Sequence, residues 1–389
     1  MDPLIQNAVH IARHGSKNPL PTRSLDGVNP AHGMQEMVKL TRLLSHDDTM
    51  TRDKALVALH SALQKPQLRA SGVDAGIVEA LQSNLGDASV SVRAHAAAAF
   101  NMLCGHPLGV SATVAGGAVP ELIKLLGDKE ETVRVTTYEA LVTIAKSVAG
   151  APRGCGWSGN TEESGGGGGA GSLTDCAGFV SSIVAKCKSE PDHLKPFALD
   201  LLGALLQQAR AVDEALLSVP NGIDVMTALL ASSSSSVREK AAENLAPLTF
   251  PVTAKGLAIA AGSIEGLVGL LSDSDFKARA GAASALGAIC VDEAAREHAV
   301  ANTPILDVLP AVVADTYDAV QLFAIKLLGI FLERPAWREA LRPVQETLTD
   351  LLASYDPNDS TMTRTKPYVI RSAKRTVPLF NKVGEPNAF

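Results

Sequence analysis

Residues 117–146 read GAVPELIKLLGDKEETVRVTTYEALVTIAK. The first half places leucines at helical spacing after the opening glycine, and Gly127 and Asp128 then supply a turn signal. A second apolar periodicity follows and includes Leu141 and Ile144 on one face. This stretch therefore predicts one helix, a short turn and a longer helix.

The same pattern returns along nearly the whole chain when the copies are aligned on Arg134. The steps between equivalent positions are 41, 41, 61, 43, 41 and 42 residues, and the one long step contains a glycine-rich tract. A period near forty with helical hydrophobicity indicates an α-solenoid. The equivalent positions, called the anchors below, are Arg52, Arg93, Arg134, Lys195, Arg238, Arg279 and Gln321.

The side chains that follow each anchor agree as closely as the spacing does. Small residues at one helical position let neighbouring helices approach, and large residues seven positions on fill the seam between stacked repeats. Three residues after the anchors stand Ala55, Ala96, Thr137, Ala198, Ala241, Ala282 and Ala324. Seven residues after them stand Leu59, Phe100, Leu141, Leu202, Leu245, Leu286 and Leu328.

A glycine precedes the shorter helix in several copies. Because glycine adopts backbone conformations that a Cβ atom disfavours, we expect each of these glycines to form a tight corner between helices. They are Gly76, Gly117, Gly178, Gly222 and Gly262.

These repeated residues resemble the armadillo repeat, which has three helices per unit, over roughly residues 33–352. The resemblance implies an all-α fold, an armadillo/HEAT-like right-handed α-solenoid of about seven to eight repeats. We expect an extended N-terminal arm over residues 1–32 and a flexible glycine-rich insert over residues 149–172 within the solenoid. A C-terminal capping helix and basic tail are expected over residues 353–389.

Composition narrows the possible functions. The 389 residues are 46% hydrophobic and 4% aromatic, which suits helices packed through Ala and Leu. The net charge of −6 gives no basic footprint for nucleic acid, and no apolar run is long enough to span a bilayer. Five scattered cysteines without C-x-x-C pairs are typical of reduced thiols. We therefore expect a soluble intracellular protein that binds neither nucleic acid nor membrane.

No catalytic constellation is present, because the sequence contains neither G-x-S-x-G nor H-E-x-x-H. The glycine-rich tract lacks the Lys and Ser/Thr of a phosphate-binding loop. His10 and His14 have the spacing of a metal pair, but no third ligand is near, so ordinary surface histidines are favoured. The predicted protein is not an enzyme and has no cofactor or metal.

Residues on the third helices of armadillo proteins line the concave face, and nuclear-import receptors of that family carry Trp five and Asn nine residues beyond the anchor. Neither residue occurs at either position here. Instead Glu139, Asp200 and Glu243 follow three consecutive anchors by five residues. They either line one groove that favours a Lys- or Arg-bearing helix or strand, or are solvated carboxylates. The anchors themselves are expected to bond to carbonyls or acids of the preceding repeat.

The C-terminal segment is locally basic in an otherwise acidic chain. It is either a partner-binding surface, for example for an acidic protein surface such as that of tubulin, or a solvated helix face. Its cations are Lys366, Arg371, Lys374, Arg375 and Lys382.

The order of features resembles one group of armadillo proteins more closely. A Pro-containing arm precedes TRDKALVALHSAL at residues 51–63, VREKAAENLAPL stands at residues 237–248, and KPYVIRSAKRTVPLF closes the chain at residues 366–380. These segments are similar to the armadillo-repeat proteins of the ciliary radial spoke.

That resemblance implies a structural scaffold of the spoke stalk, located in the cytoplasm and cytoskeleton at the axoneme of the cilium or flagellum. It implies a large hetero-complex with other radial spoke stalk proteins and with axonemal microtubule-associated proteins, which supports motility. The alternative is a soluble cytoplasmic adaptor that binds extended peptides of partner proteins. A third reading is a regulatory subunit that steers an enzyme.

Overall fold

The computed structural model of this protein describes residues 35–149, 173, 176, 178–356 and 363–381. These residues form 22 α-helices and the 3-10 helix Val377–Asn381, without a strand. In chain order the helices are α1 Gln35–Leu43, α2 Thr49–Leu63, α3 Pro66–Asp74, α4 Ile77–Asn84, α5 Val90–Cys104, α6 Pro107–Ala115, α7 Ala118–Leu125, α8 Glu131–Ala149, α9 Phe179–Ser189, α10 Lys195–Leu205, α11 Ala209–Leu217, α12 Gly222–Leu229, α13 Ser235–Leu248, α14 Val252–Ala260, α15 Ser263–Leu270, α16 Phe276–Ile289, α17 Glu293–Asn302, α18 Ile305–Val313, α19 Asp318–Leu332, α20 Pro335–Leu341, α21 Val344–Ala353 and α22 Lys366–Thr376.

The helices form eight consecutive repeats, in which a shorter helix precedes the last, longer helix except in repeat 4, where both helices have 11 residues. Repeats 1 to 8 end in the long helices α2, α5, α8, α10, α13, α16, α19 and α22. A further helix precedes repeats 2, 3, 5, 6, 7 and 8, so these have the three helices of an armadillo unit. The prediction of an all-α repeat solenoid is confirmed. The expected N-terminal arm, His10, His14 and nearly all of the insert predicted over 149–172 lie outside the described residues.

The core is a continuous seam between the long helices of successive repeats. The residues three and seven positions after every anchor are all completely buried, as the sequence predicts. Ala or Thr at the first position lets the helices approach, and Leu or Phe at the second fills the space between them. The periodic side chains therefore build the stack, and each repeat depends on its neighbours for a closed core.

Four of the five predicted glycine corners are confirmed. Gly76, Gly117, Gly178 and Gly262 have φ angles of 74°, 72°, 79° and 75°, in the left-handed region that favours glycine. Gly222 is different, because it lies inside α12 and Asn221 caps that helix by accepting a bond from the backbone N–H of Ile223 at 2.8 Å. A Cβ atom at Gly222 would lie 3.0 Å from the carbonyl oxygen of Ala215, so close packing rather than a turn requires this glycine.

Where the anchor is an arginine, it joins its repeat to the one that follows. Nε and Nη2 of Arg238 donate to the two carboxylate oxygens of Asp273 at 2.7 and 2.9 Å. Its Nη1 donates to the carbonyl oxygens of Ser232 and Ser233, which belong to its own repeat. The prediction that the acids lie in the preceding repeat is wrong, because the turn of the next repeat stacks over the first turn of each long helix. The other pairs of this kind are Arg52 with Asp87, Arg93 with Asp128 and Arg279 with Asp315.

Repeats 3 and 4 are joined by a buried cluster around Glu190. The Tyr138 hydroxyl donates to Glu190 Oε1 at 3.1 Å, and Arg134 Nη2 lies 3.2 Å from Glu190 Oε2. Lys186 Nζ lies 3.6 Å from Glu190 Oε1 and donates to the Leu126 carbonyl oxygen. Arg134, the anchor of repeat 3, therefore pairs with an acid of repeat 4, although the glycine-rich tract separates the two residues in the sequence.

Repeat 4 departs from the common geometry at its long helix. Helix α10 begins at its anchor Lys195, whereas the anchors of the other repeats are the fourth residue of their helices. Pro196 takes the second position, where a missing backbone N–H costs no helical hydrogen bond. Lys195 Nζ pairs with Asp192 of its own turn at 2.6 Å. Among the described residues, no arginine–aspartate bridge therefore connects repeat 4 to repeat 5.

The C-terminal helix α22 packs against α19 and α21. Val369, Ile370 and Ala373 are buried in this contact, and Phe380 of the 3-10 helix is buried beside them. The domain boundary predicted at residue 353 remains a prediction. In the part of the chain that the structure describes, no single helix is long and apolar enough to cross a membrane, although two sharply bent helix pairs reach the required length and composition together.

Candidate partner-binding site

The side chains five positions after the anchors lie on an exposed side of the long helices, here called the long-helix face. None of the seven is buried, in contrast to the positions three and seven residues after the anchors. Glu139, Asp200 and Glu243 are therefore all accessible to solvent, and their role in partner binding stays a prediction. The full row is Val57, Ala98, Glu139, Asp200, Glu243, Ser284 and Lys326.

Asp200 and Glu243 share one cation that the sequence reasoning missed. Lys240 Nζ lies 3.1 Å from Asp200 Oδ1 and 3.3 Å from Glu243 Oε2. It also lies 3.7 Å from Oε1 of the buried Glu239. The i, i+3 spacing of Lys240 and Glu243 on α13 was the available signal, but the bridge to Asp200 of the neighbouring repeat depends on how the helices stack.

The environment of Lys240 and Glu239 raises the pKa of both side chains. Burial works to lower the pKa of Lys240, but the hydrogen bond to Asp200 and the negative charges of Glu243, Asp200 and Glu239 outweigh it and raise the pKa. Burial raises the pKa of Glu239, while the nearby Lys240 charge works against that rise. Lys240 is therefore a firmly held cation between carboxylates at neutral pH.

Glu139 stands apart from the other two acids. Its side chain is exposed, and no hydrogen bond or ion pair connects it to another described residue. It does not line the groove that contains Asp200 and Glu243. The structure thus brings two of the three predicted carboxylates together and leaves the third free on the same face, one repeat away.

A groove of about 800 Å³ opens between repeats 4 and 5 beside Asp200, Lys240 and Glu243. We call it the repeat 4–5 groove. Apolar side chains line much of it, including Phe250, which is 69% exposed, and Pro251. One groove therefore offers carboxylates, a central lysine and an exposed aromatic ring.

The groove lies where α10 is short. Helix α10 has 11 residues, against 14 in α13, and it ends at Leu205. Gly203 lets Asn244 approach, since a Cβ atom there would lie 2.6 Å from Asn244 Oδ1. Asn244 Nδ2 donates to the Leu199 carbonyl oxygen at 2.9 Å and so links α10 to α13 at the base of the groove.

The predicted basic cluster divides into one structural lysine and three exposed cations. Lys366 Nζ lies 3.1 Å from Asp318 Oδ1 and donates to Gln321 Oε1 at 3.3 Å, which fixes the start of α22 on α19. Arg371, Lys374 and Arg375 are exposed, while Lys382 lies outside the described residues. This cluster belongs to repeat 8 and is separate from the repeat 4–5 groove.

Three of the described cysteines, Cys104, Cys187 and Cys290, are buried thiols that are poorly suited to act as nucleophiles. Burial raises the pKa of the Cys104 thiol to about 11 and that of Cys290 to about 12. Burial likewise raises the pKa of Cys187. A thiol with a raised pKa is a poor nucleophile, since the thiolate is the reactive form. Within the described residues, no group of three or more His, Cys, Asp or Glu side chains could hold a metal ion.

Comparison with known proteins agrees with this architecture. The HEAT repeat family model matches residues 118–148, the repeat quoted at the start. An engineered protein solved by a structural genomics consortium is similar over 90% of this chain and 99% of its own, with 22% identity and a TM-score of 0.52. A designed armadillo repeat protein is similar over 65% of this chain and 100% of its own, with 19% identity and a TM-score of 0.54.

A second designed armadillo repeat protein, solved in complex with the peptide (KR)4, has 19% identity and a TM-score of 0.54. It is similar over 65% of this chain and 99% of its own. The chain is thus a HEAT/armadillo-like repeat solenoid, a fold typical of non-catalytic scaffolds that bind proteins.

Proposed function

We propose that this protein is a non-catalytic scaffold whose long-helix face binds an extended basic segment of a partner protein. The observation that carries the proposal is the lysine held between Asp200 and Glu243 at the repeat 4–5 groove. The peptide (KR)4 bound by a designed protein of the same fold supports it. Glu139 extends the acidic row by one repeat.

The arrangement suggests how a partner would bind. Asp200 and Glu243 already hold an ammonium group at hydrogen-bonding distance, so a Lys or Arg of the partner can compete for the same carboxylates. Phe250 and Pro251 offer apolar contact for the stem of that side chain or for its neighbour. The energy of binding then comes from the aromatic contact and the charge pairs together.

The first test measures the affinity of a labelled (KR)4 peptide by fluorescence anisotropy. Replacing both groove acids in D200N/E243Q should weaken binding about tenfold, since two charge contacts are lost. E346Q/D350N removes two exposed acids of α21 and serves as the charge-matched control. Equal weakening in both variants would assign the binding to general electrostatics and refute the groove.

A second variant changes the affinity in the opposite direction. K240M releases Asp200 and Glu243 from their internal cation, so it should strengthen (KR)4 binding severalfold. A weaker complex of K240M, at unchanged thermal stability, would contradict the proposal that the partner is basic.

Within this scaffold role we propose a structural subunit of the ciliary radial spoke stalk, comparable to radial spoke protein 14. The support is the likeness of the Pro-containing arm, the repeat VREKAAENLAPL and the KP-led terminal helix. Its partners would be other stalk proteins and axonemal microtubule-associated proteins, and it would reside in the axoneme of the cilium or flagellum as part of the cytoskeleton.

Fractionation of ciliated cells tests the spoke assignment. After detergent removes the membrane, the protein should stay with the axoneme and leave it at the same salt step as other spoke proteins. Release of the whole pool with detergent would instead favour the second candidate, a soluble cytoplasmic adaptor. The complex of a similar designed armadillo repeat protein with the peptide (KR)4 supports that candidate.

A further inference from the structure

The last helix of the solenoid carries a one-sided cluster of cations. Arg364, Arg371, Lys374 and Arg375 are all exposed, and Tyr368 is 58% exposed among them. We call these five residues the terminal basic face. The described segment 363–381 reads TRTKPYVIRSAKRTVPLFN and contains no acidic residue.

The cations of this face have no acidic partner among the described residues. No ion pair or hydrogen bond to a carboxylate from the described residues reaches Arg364, Lys374 or Arg375. Arg371 lies over the Tyr368 ring, with its guanidinium carbon 6.0 Å from the ring centroid. Elsewhere arginines of the long helices are paired, as Arg238 is with Asp273.

The helix that carries this face is fixed in place. Its opposite side is buried through Val369, Ile370 and Ala373, and Lys366 secures its first turn on Asp318. The cations are therefore displayed by a packed element, so a ligand does not have to order the backbone. The cationic side chains and the one exposed aromatic ring remain available.

The packing of α22 and the acids near it determine which class of anionic ligand fits the terminal basic face. The apolar side of α22 is already used for packing, so the helix cannot insert into a lipid bilayer as an amphipathic helix does. Exposed Glu346 and Asp350 lie on the adjacent helix α21, where they would repel a long nucleic-acid backbone. A short acidic peptide can contact the cations and avoid those acids.

We propose that the terminal basic face binds an acidic segment of a partner polypeptide. Carboxylates pair with Arg371, Lys374 and Arg375, and Tyr368 packs against the partner backbone. This site is separate from the repeat 4–5 groove, and the inference does not rest on the function proposed above. The scaffold thus has a second binding surface in its last repeat, which prefers an acidic segment where the repeat 4–5 groove prefers a basic one.

The test uses the full chain and a fluorescein-labelled polyglutamate peptide. The triple variant R371Q/K374Q/R375Q should weaken binding at least about tenfold, and binding of the wild type should fall with added salt. K124Q/K129Q/K188Q removes three exposed lysines of repeats 3 and 4 and should leave the affinity unchanged. K366Q should lower the melting temperature, because it removes a structural pair, while the affinity changes less than in the triple variant.

Several outcomes would overturn the proposal. These are equal weakening by the two triple variants, no binding of polyglutamate at low salt, or tighter binding to phosphatidylserine vesicles or duplex DNA than to the peptide. Self-association at low salt that the same triple variant abolishes would assign the face to a second copy and also overturn it. D200N/E243Q should still bind polyglutamate normally, which separates this result from a failure of the groove proposal.

Discussion

Arg238 is an example of the arginine hydrogen bonding that recurs at several junctions between repeats. Its guanidinium binds Asp273 of the next repeat through two nitrogens and two carbonyls of its own turn through a third. The Arg238 hydrogen bond holds the pKa of Asp273 below its ordinary value of 3.8, although burial works against this. One side chain thus ties the turn of its own repeat to the repeat that follows.

We predict that R238M lowers the free energy of unfolding by about 2 kcal/mol, because the mostly buried Asp273 loses its charge partner. A lowered folded-state pKa means that the stabilisation is present above the unfolded pKa and disappears as pH falls through the folded pKa. Urea titrations of wild type should therefore show stability falling below about pH 4, with a smaller fall in R238M. R342M, which removes an exposed pair with Glu339, should cost less than about 0.5 kcal/mol.

Two glycines with open surroundings should respond in opposite ways to alanine. Gly117 has a φ of 72°, so G117A should destabilise the protein by about 1 to 2 kcal/mol although no atom lies near the added Cβ. Gly256 lies in α14 without positive φ and also has free space, so G256A should stabilise by about 0.5 to 1 kcal/mol. Thermal unfolding of both variants measures the difference, and a shift of the same sign would refute the backbone explanation.

At the scale of elements, Glu190 at the C-terminal end of α9 connects that helix to α8. It receives the Tyr138 hydroxyl and lies beside Arg134 and Lys186, so four side chains from two repeats form one buried group. Burial, together with the Glu190 charge, raises the pKa of Tyr138 and keeps its hydroxyl protonated as a donor. The contact replaces the arginine–aspartate bridge found at the regular junctions.

We expect E190A to cost about 3 kcal/mol, because it leaves the mostly buried guanidinium of Arg134 with only the exposed carboxylate of Glu131, 3.9 Å away. Y138F should cost about 1 kcal/mol, since Glu190 keeps its two cations. Denaturant unfolding of the two variants compares them. Equal costs would mean that the hydroxyl, rather than the ion pairs, holds the junction.

At the scale of the whole molecule, the junction between repeats 4 and 5 is one of those without the regular arginine–aspartate bridge among the described residues. There the serine-rich turn at Ser232 offers no aspartate, Lys195 pairs within its own repeat, and the groove opens beside the short helix α10. Asn244 and Lys240 provide the polar links instead. Since a solenoid is held by contacts between neighbours, this junction should govern local opening.

Native-state hydrogen exchange checks that expectation. Amides of α10 should exchange through opening at a lower free energy than amides of α13 or α16, and K240M should lower it further for α10. Uniform protection across all three helices would contradict a weak junction.

Much of this protein follows from sequence periodicity. The seven anchors predict seven of the long helices, since small and large residues three and seven positions on must face a neighbour. The positive-φ glycines also follow, because only their lack of a side chain makes those corners easy. The solvent access of Asp200 and Glu243 follows for the same reason, since a constant offset from the anchor places a residue on a constant side of the helix.

Contacts between repeats were decided only by the tertiary structure. The sequence predicted the acidic partners of the anchors in the preceding repeat, whereas they lie in the following one. It did not identify Lys240 between Asp200 and Glu243. It also grouped Lys366 with the exposed cations, although Lys366 pairs with Asp318. Helical periodicity specifies which side of a helix a residue occupies, but not which residue of the next repeat lies opposite. That pairing depends on how far each repeat is shifted against the next, which the packed side-chain volumes and the short turns set. The amino-acid sequence therefore determined the solenoid. Only the stacked structure determined the ion pairs between repeats, the repeat 4–5 groove and which charged side chains are exposed.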